Sequence, residues 1–335
     1  MDLKEIEQFD AQKMYKVYDD WPKMALNAFN FSHKKINYPE INHIVFAGMG
    51  GSGTIGDIFA AILSKTNIHV TNVKGYLLPK TVDLNTLVIA TSISGNTNET
   101  LTVLESAAKL DCKVLAISSG GKMEEFCLNN NIEYRKIKKI HSSRASLVNF
   151  LYSIINILDL ILPIGKLEVE ESIREMRALQ KIISTENLNE DNTSLNLANW
   201  ISGISIIYYP FGLQSAAIRF KNSLQENSKS HAFAEDVIEA CHNGIVSWEK
   251  ESNCHPILLE GIDDFIKTKE REVIIKQFFK EERIEFYEIT SVNGGILSKI
   301  INLIYVLDFA SIYLAIILKL DPTPVKSIDY IKKKM

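Results

Sequence analysis

An α/β protein made of two units, each a doubly wound, flavodoxin-like parallel sheet with helices on both faces, is the fold class the sequence predicts. Three observations carry it. Strand-length apolar runs alternate with helical patterns, glycine- and serine-rich junctions stand where strands give way to helices, and 335 residues suit two domains of about 150–170 residues each. A parallel pair needs a connection of a dozen or so residues, and the spacing of the runs supplies it.

The first run is "HIVFAG" at 43–48, followed by "HVTNV" at 69–73, "TLVIATS" at 86–92, "KVLAISS" at 113–119 and "IEYRKI" at 132–137. These five strands make one parallel sheet. "EVEESIREMRALQKII" then reads as a helix of roughly twenty residues, with Ile173, Met176, Leu179 and Ile183 on its buried face. The polar stretch "TENLNEDNTSLN" at 185–196 precedes a second cycle, whose strands are "SIIYYP" at 205–210, "HPILLEG" at 255–261 and "IEFYEIT" at 284–290. The expected division is residues 1–160, a connecting helix and linker over 161–196, and residues 197–335. No repeat at residue level links the two halves.

A net charge of −4 with 23% charged residues excludes a basic nucleic-acid surface and a charged disordered tail. Cys112, Cys127, Cys241 and Cys254 form no C-x-x-C pair, so a reduced, cytoplasmic protein without a zinc knuckle is expected. The acidic start "MDLKEIEQFD" lacks the apolar core of a signal peptide. Two apolar stretches, 147–164 and 300–318, approach membrane length, but Asn149, Asn156 and Asp159 interrupt the first and Asn302 and Asp308 the second. Both are expected to be buried helices.

"ATSISGNTNETL", residues 90–101, packs five hydroxyls, a glycine and two asparagines around a strand-to-helix junction. A helix N-terminus offers unpaired N–H groups and a partial positive charge, to which Ser92, Ser94 and Thr97 add hydroxyl donors. Taken alone, the loop is equally an ordinary capped helix with Ser94 or Thr97 as its N-cap. The earlier junction "AGMGGSGTIGD" contains Gly48, Gly50 and Gly53 in the dinucleotide spacing. That motif also needs an acid about 20 residues on to hold a ribose, and Thr71, Asn72, Val73 and Lys74 offer none. Lys74 leaves an NADP reading open. In a doubly wound sheet, loops at the carboxyl ends of neighbouring strands face one crevice. Gly51 and Ser52 with Ser92, Ser94, Gly95, Asn96 and Thr97 are therefore the candidate cradle for one phosphate monoester.

"GMGGSGTIGD", "SISGNTNET", "ISSGG" and the C-terminal "DPTPVKSIDYIK" together resemble the archaeal-type bifunctional phosphoglucose/phosphomannose isomerases of the sugar isomerase (SIS) superfamily, in the right order from about residue 45 to the end. The resemblance implies two SIS subdomains, each with a five-stranded parallel sheet, a homodimer, and metal-independent interconversion of glucose 6-phosphate or mannose 6-phosphate with fructose 6-phosphate. No cofactor is implied. Carbonyl transfer between C1 and C2 needs a base that moves one proton and a cation that holds the enediolate charge, and ring opening needs an acid/base pair. By position in the family's motifs, Glu226 in "NSLQENSK" is the base and Arg144 in "HSSRASLVNF" the enediolate cation, while His242 in "EACHNGIVSWE" and Lys332 in "IDYIKKKM" are the ring-opening pair. His242 is expected to act across the dimer interface, and Thr323 to shape the space near C2. Without the resemblance, Glu226 reads as a surface glutamate, Arg144 as a helix-terminal or surface arginine, His242 as a structural histidine and Lys332 as part of a solvated basic tail.

Two departures stand out. The family's Asn-His-Asn-Glu run appears as Cys241, His242, Asn243 and Gly244, and Ile93 replaces a common aromatic residue. The first is expected to change the surroundings of His242, the second packing alone. His231, His242 and His255 lack metal-ligand spacing. Two alternatives stay open: a non-catalytic sugar-phosphate-binding SIS sensor, although such regulators usually add a DNA-binding domain for which the chain has neither room nor charge, and another SIS sugar-phosphate isomerase, although the amidotransferase-coupled form needs a segment the chain does not show.

Overall fold

The structure, a computed structural model, describes residues 1–334 and forms two compact units, Asp20–Ile173 and Met1–Asp19 with Arg174–Met335. Helices α1 (Leu3–Phe9) and α2 (Met14–Asp19) thus belong to the second unit, while α3 (Trp21–Asn30) opens the first.

The first unit runs β1 (His43–Ala47), α4 (Gly51–Leu63), β2 (His69–Val73), β3 (Thr86–Ser92), α5 (Asn98–Ala107), β4 (Lys113–Ser118), α6 (Gly121–Asn129), β5 (Glu133–Lys136) and α7 (Leu147–Ile157). Its sheet has the order β2-β1-β3-β4-β5 and is parallel throughout. Strands β1 and β3 are buried at every residue, which is why they read as unbroken apolar runs. Val45, Ala47, Val73 and Val88 pack with Val103 and Ala107 of α5, and Ala90 and Ala116 with Leu101, Leu104, Met123 and Cys127. Helix α8 (Lys166–Ile183) follows; Ile173, Met176 and Ile183 are buried in it and Leu179 is half-buried.

The second unit runs α9 (Thr193–Trp200), β6 (Ile204–Tyr209), α10 (Gln214–Ser223), β7 (Ala232–Asp236), α11 (Val237–Ala240), β8 (Cys254–Glu260), α12 (Ile266–Glu281), β9 (Tyr287–Thr290), α13 (Ile296–Ile317) and α14 (Lys326–Lys332). Its parallel sheet has the order β7-β6-β8-β9, so it carries four strands where five are expected. After β9 the chain turns into α13, a helix apolar on every side, and the remaining tail has no strand-like run. Helix α13 has membrane length and a mean hydropathy of 2.1 over its apolar window, but 94% of that window is buried inside the protein. It is the core helix of its unit. Strand β7, "AFAED", was not among the expected strands: it is an edge, paired to β6 alone, and its half-exposed acids hide the apolar signal. All four cysteines are free.

Candidate active site

In the first unit, three junctions at the carboxyl edge of the sheet come together. The hydroxyl of Ser52, in the first turn of α4, accepts from the backbone N–H of Ile93 at 3.4 Å. This bond joins the glycine-rich turn after β1 to the hydroxyl-rich turn after β3, the juxtaposition expected of a doubly wound sheet. The second turn is then shaped by its own side chains. Ser92 Oγ lies 2.9 Å from Thr97 Oγ1 and accepts from Gly95 N at 3.1 Å, and Asn96 N donates to Ser94 Oγ at 3.3 Å. Thr97 is the N-cap residue of α5 without a side-chain capping bond, so its hydroxyl serves the loop rather than the helix end.

The third junction, after β4, was not among the expected site residues. Gly95 has φ +72°, and a Cβ there would lie 1.7 Å from the carbonyl oxygen of Gly120. Only glycine fits. Ser118 Oγ in turn donates to that carbonyl at 2.8 Å, and Lys122 N donates to Asn96 Oδ1 at 3.0 Å. The signal available in the sequence was the Gly120-Gly121 pair following a strand. Ser52 and Ser92 are buried, while Gly51, Ser94 and Thr97 are half-buried and Asn96 is exposed. Ser92 therefore holds the loop's form from beneath, and the outer residues present its polar surface.

Lys74, the residue that kept a dinucleotide reading open, is bound 2.5 Å from Asp57 Oδ2 of α4, with Asn72 Nδ2 donating to Asp57 Oδ1 at 3.0 Å. Burial pushes the Asp57 carboxyl up, against the pull of Lys74 and Asn72. The lysine is thus committed to a protein carboxylate.

Arg144 is 6% exposed, so it is no surface arginine. It sits in the turn that precedes α7, a turn drawn tight by Ser146, whose hydroxyl accepts from Ile140 N at 2.8 Å and lies 2.9 Å from the Ser142 carbonyl.

In the second unit, α10 ends in a single π-turn, Leu224–Ser228, and Glu226 is its middle residue. Such turns displace side chains from the helical register and recur at functional positions. Asn227 Nδ2 donates to Ser311 Oγ of α13 at 2.8 Å and Ser228 Oγ to the Leu224 carbonyl at 2.7 Å. Half-buried Glu226 lines a cavity of about 710 Å³, together with Asn222, Lys229, Asp321, Lys326 and Ser327. The motif segments "QENSK" and "DPTPVKS" thus face one space. Lys332, on the last turn of α14, is exposed and is not among the residues lining that cavity. Thr323 is half-buried in the loop between α13 and α14, its N–H donating to Asp321 Oδ1 at 2.9 Å.

His242 is exposed in the turn after α11. The two altered neighbours have local explanations. Cys241 Sγ lies 3.2 Å from the Val237 carbonyl, and burial pushes its thiol up. At Gly244 a Cβ would stand 2.4 Å from Glu235 Oε2, so the Glu235 carboxyl of β7 fills the place of the absent side chain. Burial raises that carboxyl, and Glu239 and Asp236 raise it further. Among the described residues, no cluster of three or more His, Cys, Asp or Glu side chains is arranged to hold a metal.

The comparisons with known proteins bear on the fold and the family. Residues 39–157 match the SIS domain model and residues 190–335 the bacterial phospho-glucose isomerase C-terminal SIS domain. The bifunctional phosphoglucose/phosphomannose isomerase of Caldicellulosiruptor bescii is 32% identical over 97% of this chain and 96% of its own, and that of Aquifex aeolicus 30% identical over 97% and 98%. A hypothetical protein from Thermus thermophilus has the same fold, with a TM-score of 0.70 over 98% of this chain and 88% of its own at 14% identity. The chain is an isomerase and belongs to the bifunctional phosphoglucose/phosphomannose isomerase family.

Proposed function

We propose that the protein interconverts glucose 6-phosphate and mannose 6-phosphate with fructose 6-phosphate through a cis-enediolate, without a metal or cofactor. The observation that carries the reading furthest is the Ser52–Ile93 bond, which unites two polar, glycine-containing turns at the ends of adjacent strands beside two helix N-termini. Gly51, Ser52, Ser92, Ser94, Gly95, Asn96 and Thr97 form the phosphate cradle.

In this reading Lys332 and His242 open the pyranose ring, one protonating the ring oxygen while the other takes the O1 proton. The Glu226 carboxylate then removes the proton from C2, the electron pair moves into the C1–C2 bond, and Arg144 balances the negative charge on the enediolate oxygen. Return of the proton to C1 gives the ketose. A single base suffices because it serves two adjacent carbons on one face, and epimeric C2 configurations share one enediolate once the substrate turns about its C2–C3 bond to bring either C2 proton to that base. A homodimer in the cytoplasm completes the proposal, with His242 contributed across the interface; four free cysteines suit a reducing compartment.

The test is formation of fructose 6-phosphate from each aldose phosphate in EDTA, with Glu226→Gln beside the unaltered enzyme. Turnover of both substrates that collapses in the variant supports the reading; sugar-phosphate binding without turnover favours a sensor or a different substrate instead.

A further inference from the structure

The π-turn that carries Glu226 is closed by a lysine in a backbone conformation that side chains disfavour. Lys229 has φ 59° and ψ 23°, and its N–H donates to the Leu224 carbonyl. A residue other than glycine is held there only when its surroundings determine it more strongly than its own backbone preference. Among those surroundings are three carbonyl oxygens. Lys229 Nζ donates to the carbonyl of Glu226 at 2.6 Å, of Asn227 at 3.2 Å and of Pro322 at 3.4 Å.

An ammonium is a compact donor of several protons, and these three backbone acceptors converge on it. The first two belong to the π-turn, so a lysine that merely capped a helix end would account for them. The third belongs to a different element, the loop that follows α13 and leads through Asp321 into α14. Lys229, Glu226 and Asp321 line the same cavity. The ammonium therefore ties the backbone of the candidate base to the loop whose Asp321 and Pro324 line the same cavity.

We propose that Lys229 is a positioning residue for Glu226: by bridging the π-turn to the Pro322 loop, its ammonium fixes the base's carboxylate against the sugar carbons. This rests on the reading of Glu226 as base. Lysine suits the place better than arginine, because a compact charge satisfies three convergent carbonyls whereas a planar fork does not.

The experiment compares Lys229→Met and Lys229→Gly with the unaltered enzyme in steady-state kinetics, thermal melting and hydrogen exchange. Glycine accepts the positive φ, so that variant deletes the ammonium while relieving the backbone. Both variants are expected to lose about 100-fold in kcat, the cost of about an ångström of misplacement, with KM within about twofold of the original. Faster amide exchange is expected both in 224–228 and in 320–325. Unchanged kcat, a loss confined to KM, or a melting temperature that falls while kcat holds overturns the proposal. So does exchange altered in 224–228 alone, which marks a simple cap. If the unaltered enzyme turns over no sugar phosphate, the isomerase reading fails, the role assigned to Lys229 in catalysis falls with it, and the exchange data still report whether the bridge exists.

Discussion

Arg219 Nη2 lies 2.7 Å from Asp308 Oδ2, with the two side chains 3% and 0% exposed. Arg219 Nε adds contacts of 3.2 and 3.1 Å to the same carboxylate, Ser223 Oγ donates at 2.6 Å and Tyr18 Oη at 3.2 Å. The cluster fastens α10, the helix that leads into the Glu226 turn, to the core helix α13 and the N-terminal segment. Removing one partner leaves an uncompensated buried charge. Asp308→Ala is therefore expected to cost about 3–5 kcal/mol in urea unfolding, and Tyr18→Phe, which removes one hydrogen bond to that charge, about 1.5–3 kcal/mol. Equal, small losses in both would show that the carboxylate is not the centre of the network.

Gly95 supplies a prediction on the proposed phosphate cradle. An alanine there must adopt φ +72° and would bring its Cβ to 1.7 Å from Gly120 O, a backbone contact that cannot yield without moving the turn. The left-handed conformation alone costs about 1–2 kcal/mol. Gly95→Ala is expected to weaken competitive inhibition by inorganic phosphate by about tenfold or more, with a smaller loss in kcat at saturation. Unchanged phosphate inhibition would separate this turn from phosphate binding.

What the sequence disclosed, and what it concealed, follows burial. Strands β1 and β3 were legible because both faces are covered, so every residue but His43 is apolar or small; β7 was not, because an edge strand half open to solvent tolerates Glu235 and Asp236. The two polar junctions were legible through glycine and hydroxyl composition. That Ser92 works beneath the loop, and that Gly120 stands against Gly95, depends on tertiary contact and leaves no periodic trace. Glu226, His242 and Lys332 look like ordinary polar residues, and their roles come from resemblance alone. The bridging position of Lys229 depends on Pro322, 93 residues away in sequence.

Gly244 and Glu235 stand against each other, the Glu235 carboxyl occupying the space a side chain at 244 would take. A side chain at 244 displaces the Glu235 carboxyl, which is the far end of a flexible chain, so Gly244→Ala is expected to cost less than about 1 kcal/mol. Gly244→Glu adds a like charge where Glu239 and Asp236 already raise the Glu235 carboxyl. Its larger cost should be recovered when Glu235→Ala is added, with an interaction energy of about 0.5–3 kcal/mol in a double-mutant cycle. Additive effects would show that the 2.4 Å approach carries no energetic coupling.

Glu226→Gln tests the base directly. The amide keeps the volume but takes no proton, so kcat is expected to fall by about 10²–10⁴, the usual worth of general-base catalysis, while KM stays nearly constant because ground-state contacts are kept. Loss in KM with kcat preserved would make Glu226 a binding group.

Glu272 gives the protein a predictable pH dependence. It lies in α12, is 4% exposed, and its carboxyl is pushed up to about 8, first by burial and then by Glu260 and Asp264, against Lys276 and Lys269. Its folded-state pKa exceeds the ordinary 4.5, so between these values the folded protein keeps a proton that the unfolded chain has released. The stabilisation is whole below about pH 4.5 and is lost as pH rises through about 8, at no more than about 1.4 kcal/mol per pH unit. Urea midpoints taken between pH 5.5 and 8.5 are expected to fall more steeply for the unaltered protein than for Glu272→Gln, whose side chain has no proton to lose. Parallel profiles would mean that Glu272 is already ionised in the folded state, with its charge met by Lys276 or Lys269.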